Sequence, residues 1–196
     1  MKAIAFRSCD RFSQAEFAAW LRTLPPDDLH HYELLDGRIV MEPPAAWRHG
    51  ETEAIVVCML RSFVSERRLG RVFGSSPGFE LPTGDTVEPD ASFVSRERWE
   101  AQDRVPRGFA RVVPDLVVEI LSPTTRKKDH GQKKRIYERS GVREYWLVDP
   151  QSQHVTRFVA AKRGFDRGTV FESGATLGSV VLEGLRIAVA ELFPEP

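Results

Sequence analysis

Residues 114–149, PDLVVEILSPTTRKKDHGQKKRIYERSGVREYWLVD, contain the pattern that decides the fold. The run LVVEIL predicts a buried strand, residues 129–140 predict a helix, and EYWLVD predicts a second strand. A strand, a crossover helix and another strand are typical of a parallel strand pair within a sheet. One residue conflicts with burial, because Glu119 places a carboxylate in the middle of the first apolar run.

Two further helices are predicted before this unit. The segment 13–24 has an apolar stripe, and Ser13 and Glu16 at its start have the spacing of a capping box. The segment 54–69 has helical apolar spacing, and Gly70 is expected to end it. These helices are expected to flank the sheet.

Short strands are predicted on both sides of the central unit. A hairpin is expected where Asp36 and Gly37 separate two β-prone runs. Residues 96–111 are polar, basic and poorly periodic, and we interpret them as a surface loop. The other predicted strands lie in RVFGSSPGFELP, DASFVS, HVTRFVAA, GTVFESG and GSVVLEGLRIAVAELF. The expected fold class is therefore α/β, with a mixed central sheet flanked by helices and extended by antiparallel strands.

The composition fits a globular chain with one domain spanning residues 1–196. Lysine and arginine total 28, as do aspartate and glutamate, so the net charge favours neither nucleic acid nor a membrane as a partner. Cys9 and Cys58 match no metal spacing and are expected as reduced thiols of a cytoplasmic protein. We expect no signal peptide and no membrane span, because no apolar run is long enough for either.

Glu119 on its own fits two interpretations. It is either a strand residue that faces solvent or an arginine, or a metal ligand, because a carboxylate in a dry strand needs a positive partner. Two other acids favour the metal: Asp90 begins the β-prone run in VEPDASFV, and Glu33 lies in the hairpin strand HYELLDG. Three carboxylates that converge would suit a hard cation such as Mg²⁺.

The predicted helix carries a cation toward the same region. Lys133 and Tyr137 are four residues apart and therefore share one helix face, and Tyr137 is expected on the side that packs against the sheet. Lys133 would then project toward the end of the Glu119 strand. The alternative is that Lys133 is one of several solvated lysines in RKKDHGQKKR.

These motifs together resemble a known family. The stretch PDLVVEILSPTTRKKDHGQKKRIYERSGVREYWLVDP, with YELLDGRI, WRHGETEAI and VEPDASFV, is similar to the signature of the Uma-two family of restriction endonucleases. That family belongs to the PD-(D/E)XK nuclease superfamily. The resemblance covers roughly residues 12–193 and implies a restriction-endonuclease-like mixed sheet flanked by helices.

The resemblance also implies a site. Asp90 matches the first acid of the superfamily and Glu119 the second, and the backbone carbonyl of Ile120 would be a further metal ligand. Lys133 matches a lysine that has moved to the helix, and Glu33 matches an additional acid that would bind a second metal or order its waters. Two residues after Glu119, where the superfamily has its lysine, this chain has a leucine.

The implied activity is Mg²⁺-dependent hydrolysis of DNA phosphodiester bonds by an endonuclease, with Mn²⁺ expected to substitute for Mg²⁺. Attack would be in line and would leave a 5′-phosphate. Substrate contacts are expected from His49 and Tyr137, and from the basic segment Arg126, Lys127 and Lys128. A capping or surface role is the alternative for His49. The arginines of 96–111 are candidates for further phosphate contacts.

Two alternatives remain open from the residues. One is a non-catalytic nucleic-acid-binding or interaction protein that retains the nuclease fold, and the other is a metal-dependent hydrolase of RNA or of a smaller phosphoester. No DNA-reading module is recognisable, so no recognition sequence is predicted. The apolar strands are also compatible with a homodimer, by analogy with nucleases that pair two active sites.

Overall fold

A computed structural model describes residues 6–28, 30–42, 46–102, 108–122 and 129–194 of the chain. Four α-helices, α1 to α4, occur in this part of the chain: Gln14–Leu21, Trp47–Arg67, Arg96–Ala101 and Lys134–Ser140. A π-helical turn, Asp129–Lys133, leads directly into α4. The C-terminal part contains a short 3₁₀ helix, Val189–Leu192.

The same residues form the strands β1 to β13. In chain order these are His31–Leu35, Arg38–Glu42, Gly70–Gly74, Phe79–Glu80, Thr86–Val87, Ala91–Ser95, Leu116–Ile120, Glu144–Asp149, His154–Ala161, Gly164–Phe165, Thr169–Glu172, Thr176–Gly178 and Arg186–Ala188.

The main sheet has the strand order β10-β9-β8-β7-β6-β3, and β11 also pairs with β9. The pair β7 and β8 is parallel, whereas β6 pairs with β7, and β9 with β8, in antiparallel orientation. The sheet is therefore mixed, and the parallel pair with its crossover helix confirms the fold class predicted from residues 114–149. A smaller sheet, in the order β2-β1-β5-β4, lies beside the main one.

Two apolar clusters cover the two faces of the main sheet. On one face, α2 packs through Val56, Leu60 and Val64 against strand residues that include Val118. On the other face, α4 packs through Ile136 and Tyr137, and residues of the smaller sheet join the same cluster. The side chains of a strand alternate between its two faces, and all five residues of β7 are buried, so both faces of β7 are covered. Glu119 thus lies in the interior.

Local signals near the N-terminus produce the predicted elements. Ser13 caps α1 and forms the expected capping box with Glu16. Asp36 and Gly37 form the hairpin turn with φ of 51° and 75°, the left-handed conformations that a two-residue hairpin loop requires. Gly141 ends α4 with φ of 85°.

Two boundary predictions are wrong. The second helix begins at Trp47 rather than near residue 54, and Arg68, not Gly70, takes the left-handed position at its end. Gly70 instead begins β3, where a side chain would overlap the backbone of β6 at Val94. The loop predicted at 96–111 is also wrong in its first part, because Ser95 accepts a hydrogen bond from the backbone N–H of Arg98 and starts α3.

Within the described residues, no helix combines the length and the apolar character that crossing a bilayer requires.

Candidate active site

A buried lysine lies between two buried carboxylates at the centre of the fold. Lys133 Nζ is 2.8 Å from Oε1 of Glu119 and 3.0 Å from Oε1 of Glu33. Lys133 and Glu119 are each 3% exposed, and Glu33 is fully buried. The structure therefore brings together three of the residues singled out in the sequence, although they lie on β1, β7 and the turn before α4.

The crossover explains how Lys133 reaches this point. Glu119 points from β7 toward the face that α4 covers, and Lys133 is the last residue of the π-helical turn that opens this helix. One turn later, the Tyr137 hydroxyl donates a 2.5 Å hydrogen bond to Oε1 of Glu119. Glu33 comes from the hairpin strand β1, and its Oε1 also accepts a hydrogen bond from the Glu88 backbone N–H at 2.9 Å.

Burial and neighbouring charge shift the ionisation of this cluster. Burial raises the pKa of Glu119 well above its ordinary value, and the nearby carboxylates of Asp90, Asp129 and Glu33 act in the same direction against the opposing ammonium. Burial alone would lower the pKa of Lys133, but the Glu119 and Glu33 carboxylates outweigh it and raise that pKa well above its ordinary value. Lys133 therefore remains an ammonium at neutral pH. The acidic side chains around it outnumber this single positive charge.

A second cluster lies at the start of β6 and is half-buried. His49 Nε2 is 3.3 Å from Oδ2 of Asp90, and the two side chains are 14% and 16% exposed. With Glu53, one turn further along α2, they offer three ligand atoms within 4.8 Å of one another. Burial lowers the pKa of His49, but the adjacent Asp90 carboxylate more than compensates, so this pKa is raised above its ordinary value.

The two clusters meet along β7. Oδ2 of Asp90 accepts a 2.6 Å hydrogen bond from the backbone N–H of Ile120, the residue after Glu119. The carboxylate of Asp90 is thereby fixed beside the Glu119 strand. A Cβ atom at position 74 would lie 3.3 Å from Oε1 of Glu53. Because Gly74 has no side chain, β3 can approach α2 closely and still leave room for the Glu53 carboxylate.

Other residues named from the sequence have different surroundings. Arg98 lies 3.3 Å from Asp115, and Arg111 lies 2.8 Å from Glu80, so both form ion pairs within the chain. Arg96 lines a separate cleft. The basic segment of Arg126, Lys127 and Lys128 lies outside the described residues, as do Arg104 and Arg107.

Glu53 was not predicted as a site residue from the sequence. Its signal was present, because His49 and Glu53 are four residues apart and so share a helix face. The predicted helix began at residue 54, after both His49 and Glu53, and this hid the relation between the two side chains. The partner Asp90 is far away in the chain and could not be connected to them by spacing.

The model of the Uma2 family, described as "Putative restriction endonuclease", matches residues 15–190. The chain belongs to the Uma2 family. This assignment agrees with the resemblance drawn from the motifs, and it supports a restriction-endonuclease-like nuclease. No curated protein matches the chain.

A solved structure has the same fold as this Uma2 protein. It is a crystal structure from Anabaena variabilis described as "a putative nuclease", with a TM-score of 0.76 and 22% sequence identity. The alignment covers 93% of this chain and 97% of the other. At this identity the likeness establishes the fold.

Proposed function

We propose that this protein is a metal-dependent endonuclease that hydrolyses phosphodiester bonds of DNA. The observation that carries the proposal is the contact between two groups of side chains. The half-buried cluster of His49, Glu53 and Asp90 can hold a cation, and it lies against the buried cluster of Lys133 and Glu119 through the Ile120 N–H. The family assignment is consistent with this chemistry.

The donor set fits a divalent cation. It combines two carboxylates and an imidazole, and carboxylate oxygens are the ligands that Mg²⁺ and Mn²⁺ prefer. The surroundings are rich in acid, because the single ammonium of Lys133 lies between two buried carboxylates. His49 Nδ1 is buried and has no hydrogen-bond partner among the described residues. A cation would reduce the excess negative charge of this region.

Within this proposal, the cluster of His49, Glu53 and Asp90 would hold the metal, and Glu119 and the backbone carbonyl of Ile120 would be further ligands. Lys133 and Tyr137 both contact Oε1 of Glu119. The other carboxylate oxygen, Oε2, would therefore be the one that meets a cation. A bound cation would withdraw charge from the scissile phosphate and lower the pKa of a coordinated water.

The remaining residues act through position and charge. The raised pKa of Lys133 keeps its ammonium protonated. Once a local rearrangement brings it to the substrate, Lys133 would stabilise the negative charge that develops on the phosphate and would not accept a proton. Glu33 would hold Lys133 in place, because Oε1 of this buried acid contacts both Nζ and the Glu88 N–H. We therefore favour this positioning role for Glu33 over a second metal site. His49, expected from the sequence as a substrate contact, would instead be the imidazole ligand of the metal beside the Asp90 carboxylate.

One observation favours a second candidate, a nucleic-acid-binding protein without catalysis. Lys133 and Glu119 form an ion pair with each other, and each is only 3% exposed. Neither side chain therefore reaches a substrate without a local rearrangement. Asp90 and Glu53 distinguish the two candidate functions. Both carboxylates are needed for metal binding and cleavage, but they contribute little to the binding of phosphate alone.

The test is nicking of supercoiled plasmid with Mg²⁺ or Mn²⁺ by the wild type, Asp90→Asn and Glu53→Gln. Each substitution should lower the nicking rate by a factor of about ten to a hundred. It should also reduce the increase in melting temperature that the metal produces. Glu66→Gln is the matched control, since Glu66 is an exposed acid on the same helix with a side chain 72% accessible.

A folded wild type that neither binds the metal nor nicks DNA would eliminate the nuclease assignment and favour the second candidate. Nicking that persists in both acid variants would show that these side chains do not form the site. RNA and a small phosphodiester should be assayed in parallel, because cleavage of these alone would change the substrate class.

A further inference from the structure

A cleft of about 630 Å³ lies along the outer side of β3, away from the candidate active site. Its walls carry four arginines, Arg61, Arg68, Arg71 and Arg96, and one acidic residue, Glu100. In the part of the chain that the structure describes, none of the four guanidinium groups has a carboxylate within salt-bridge distance. The chain as a whole is neutral, so this positive charge is local.

Contacts within the fold position two of these arginines, Arg71 and Arg96. The Arg71 guanidinium lies 4.7 Å from the centre of the Trp99 ring, and the Arg96 guanidinium donates a hydrogen bond to the backbone carbonyl of Arg68. Arg68 itself has φ of 53°, a left-handed conformation in which a helix usually ends on glycine. The contacts of Arg71 and Arg96 limit the freedom of these two side chains before any ligand arrives.

The cleft and the metal cluster are arranged along the same helix. Arg61 follows Glu53 by eight residues and therefore lies on the same side of α2, and Arg68, fifteen residues after Glu53, caps the C-terminal end of this helix. At a rise of about 1.5 Å per residue, the backbone of these arginines is roughly 12 and 22 Å from that of Glu53. On β3, Arg71 precedes Gly74, the close neighbour of Glu53, by three residues, or about 10 Å.

We propose that this cleft binds phosphate groups of the nucleic acid that the candidate active site cuts, on one side of the cleavage point. The inference rests on the proposed nuclease function. Phosphates are about 3.4 Å apart along the axis of each strand, so the cleft would hold the backbone roughly three to six base pairs from the scissile bond. Guanidinium groups without carboxylate partners are suited to phosphate, which they bind in bidentate fashion.

The experiment is binding of a fluorescently labelled duplex of 20 base pairs, measured in EDTA so that no cleavage occurs. The variant is Arg61→Gln/Arg71→Gln. The matched control is Arg163→Gln/Arg167→Gln, which changes the charge equally in the turns on either side of β10, at the opposite edge of the main sheet. Affinity is measured over a range of salt concentrations.

We expect the negative slope of log affinity against log salt to become shallower by about two for the cleft variant, since each lost phosphate contact removes about 0.9 from its magnitude. Extrapolated from 1 M salt, this corresponds to a roughly sixtyfold weaker affinity at 0.1 M salt. The control variant should retain the slope of the wild type. Equal slopes for the cleft variant and the control would overturn the inference while leaving the nuclease function intact.

Two further outcomes are also decisive. In the first, the wild type nicks plasmid, and the cleft variant keeps its affinity for the duplex but loses binding of ATP or inorganic phosphate. The cleft would then bind a free phosphate compound, and the assignment to a nucleic-acid strand would be wrong. If the wild type binds no nucleic acid at all, the proposed function fails and this inference fails with it.

Discussion

Replacing Lys133 by methionine tests the buried cluster most directly. Methionine preserves most of the volume of lysine but removes the ammonium that lies 2.8 Å from Glu119 and 3.0 Å from Glu33. Two carboxylates would then remain in the interior, each without its cation. Removing one partner of a buried ion pair is strongly destabilising, because an uncompensated charge is left in a poorly solvated place.

The expected loss of unfolding free energy is about 3–5 kcal/mol. For a chain of this size, about 1 kcal/mol corresponds to roughly 2–4 °C in melting temperature, so a fall on the order of 10 °C is expected. Adding Glu33→Gln to Lys133→Met should recover part of the loss, because only one buried carboxylate then lacks a cation. The two substitutions are in contact and should therefore not be additive.

Urea unfolding in EDTA, followed by circular dichroism, measures these differences. The control is Lys134→Met at the next residue, where the ammonium lies 3.9 Å from the Phe158 ring and its loss should cost about 1 kcal/mol or less. The reasoning would be refuted if Lys133→Met were no more destabilising than this control. It would also be refuted if the double variant were less stable than the sum of the single changes predicts.

Two further predictions concern the scaffold. Ser13→Ala should destabilise the protein by about 1 kcal/mol at pH 7 in urea unfolding, through loss of the α1 cap. The Ser13 N–H, and after it the Ser13 hydroxyl, lower the pKa of Glu16. The alanine variant keeps the N–H and loses the hydroxyl contact, whose contribution is present above the unfolded pKa and is lost as pH falls through the lowered folded pKa. A destabilisation by Ser13→Ala that grew toward acidic pH would contradict this assignment. Gly70→Ala should cost roughly 1–3 kcal/mol, because the added methyl group would overlap the backbone of β6. Gly174→Ala, whose methyl group would meet no described atom within 4 Å, should change stability little, and equal melting temperatures for the two glycine variants would contradict the packing argument.

Short-range signals in the sequence were sufficient for most of the architecture. The capping box, the Asp36-Gly37 turn and the Gly141 stop each depend on residues within a few positions of one another, and all three occur as predicted. The crossover unit was predictable because its apolar runs and helix are long enough to have clear periods. The approach of Lys133 to Glu119 follows from that unit, since the helix must pack back onto its own strand.

Long-range packing decided what the sequence could not reveal. Gly70 was interpreted as a helix stop, but its role is to let β3 approach β6 closely, and the partner strand is more than twenty residues away. The link between Glu53 and Asp90 likewise depends on how α2 lies against the sheet. The six-residue α3 is too short to show a helical period.

The buried position of Leu121 has a consequence for how such proteins are recognised in genomes. Leu121 lies two residues after Glu119, where the resemblance to PD-(D/E)XK nucleases would place a lysine, and it is 5% exposed within the apolar cluster that α4 covers. The ammonium beside Glu119 comes from Lys133, twelve residues after Leu121, and Leu121 itself packs among apolar side chains. A search pattern that demands an acid and a lysine two residues apart would therefore overlook this chain. A pattern that asks for a cation within reach of the carboxylate in three dimensions would find it.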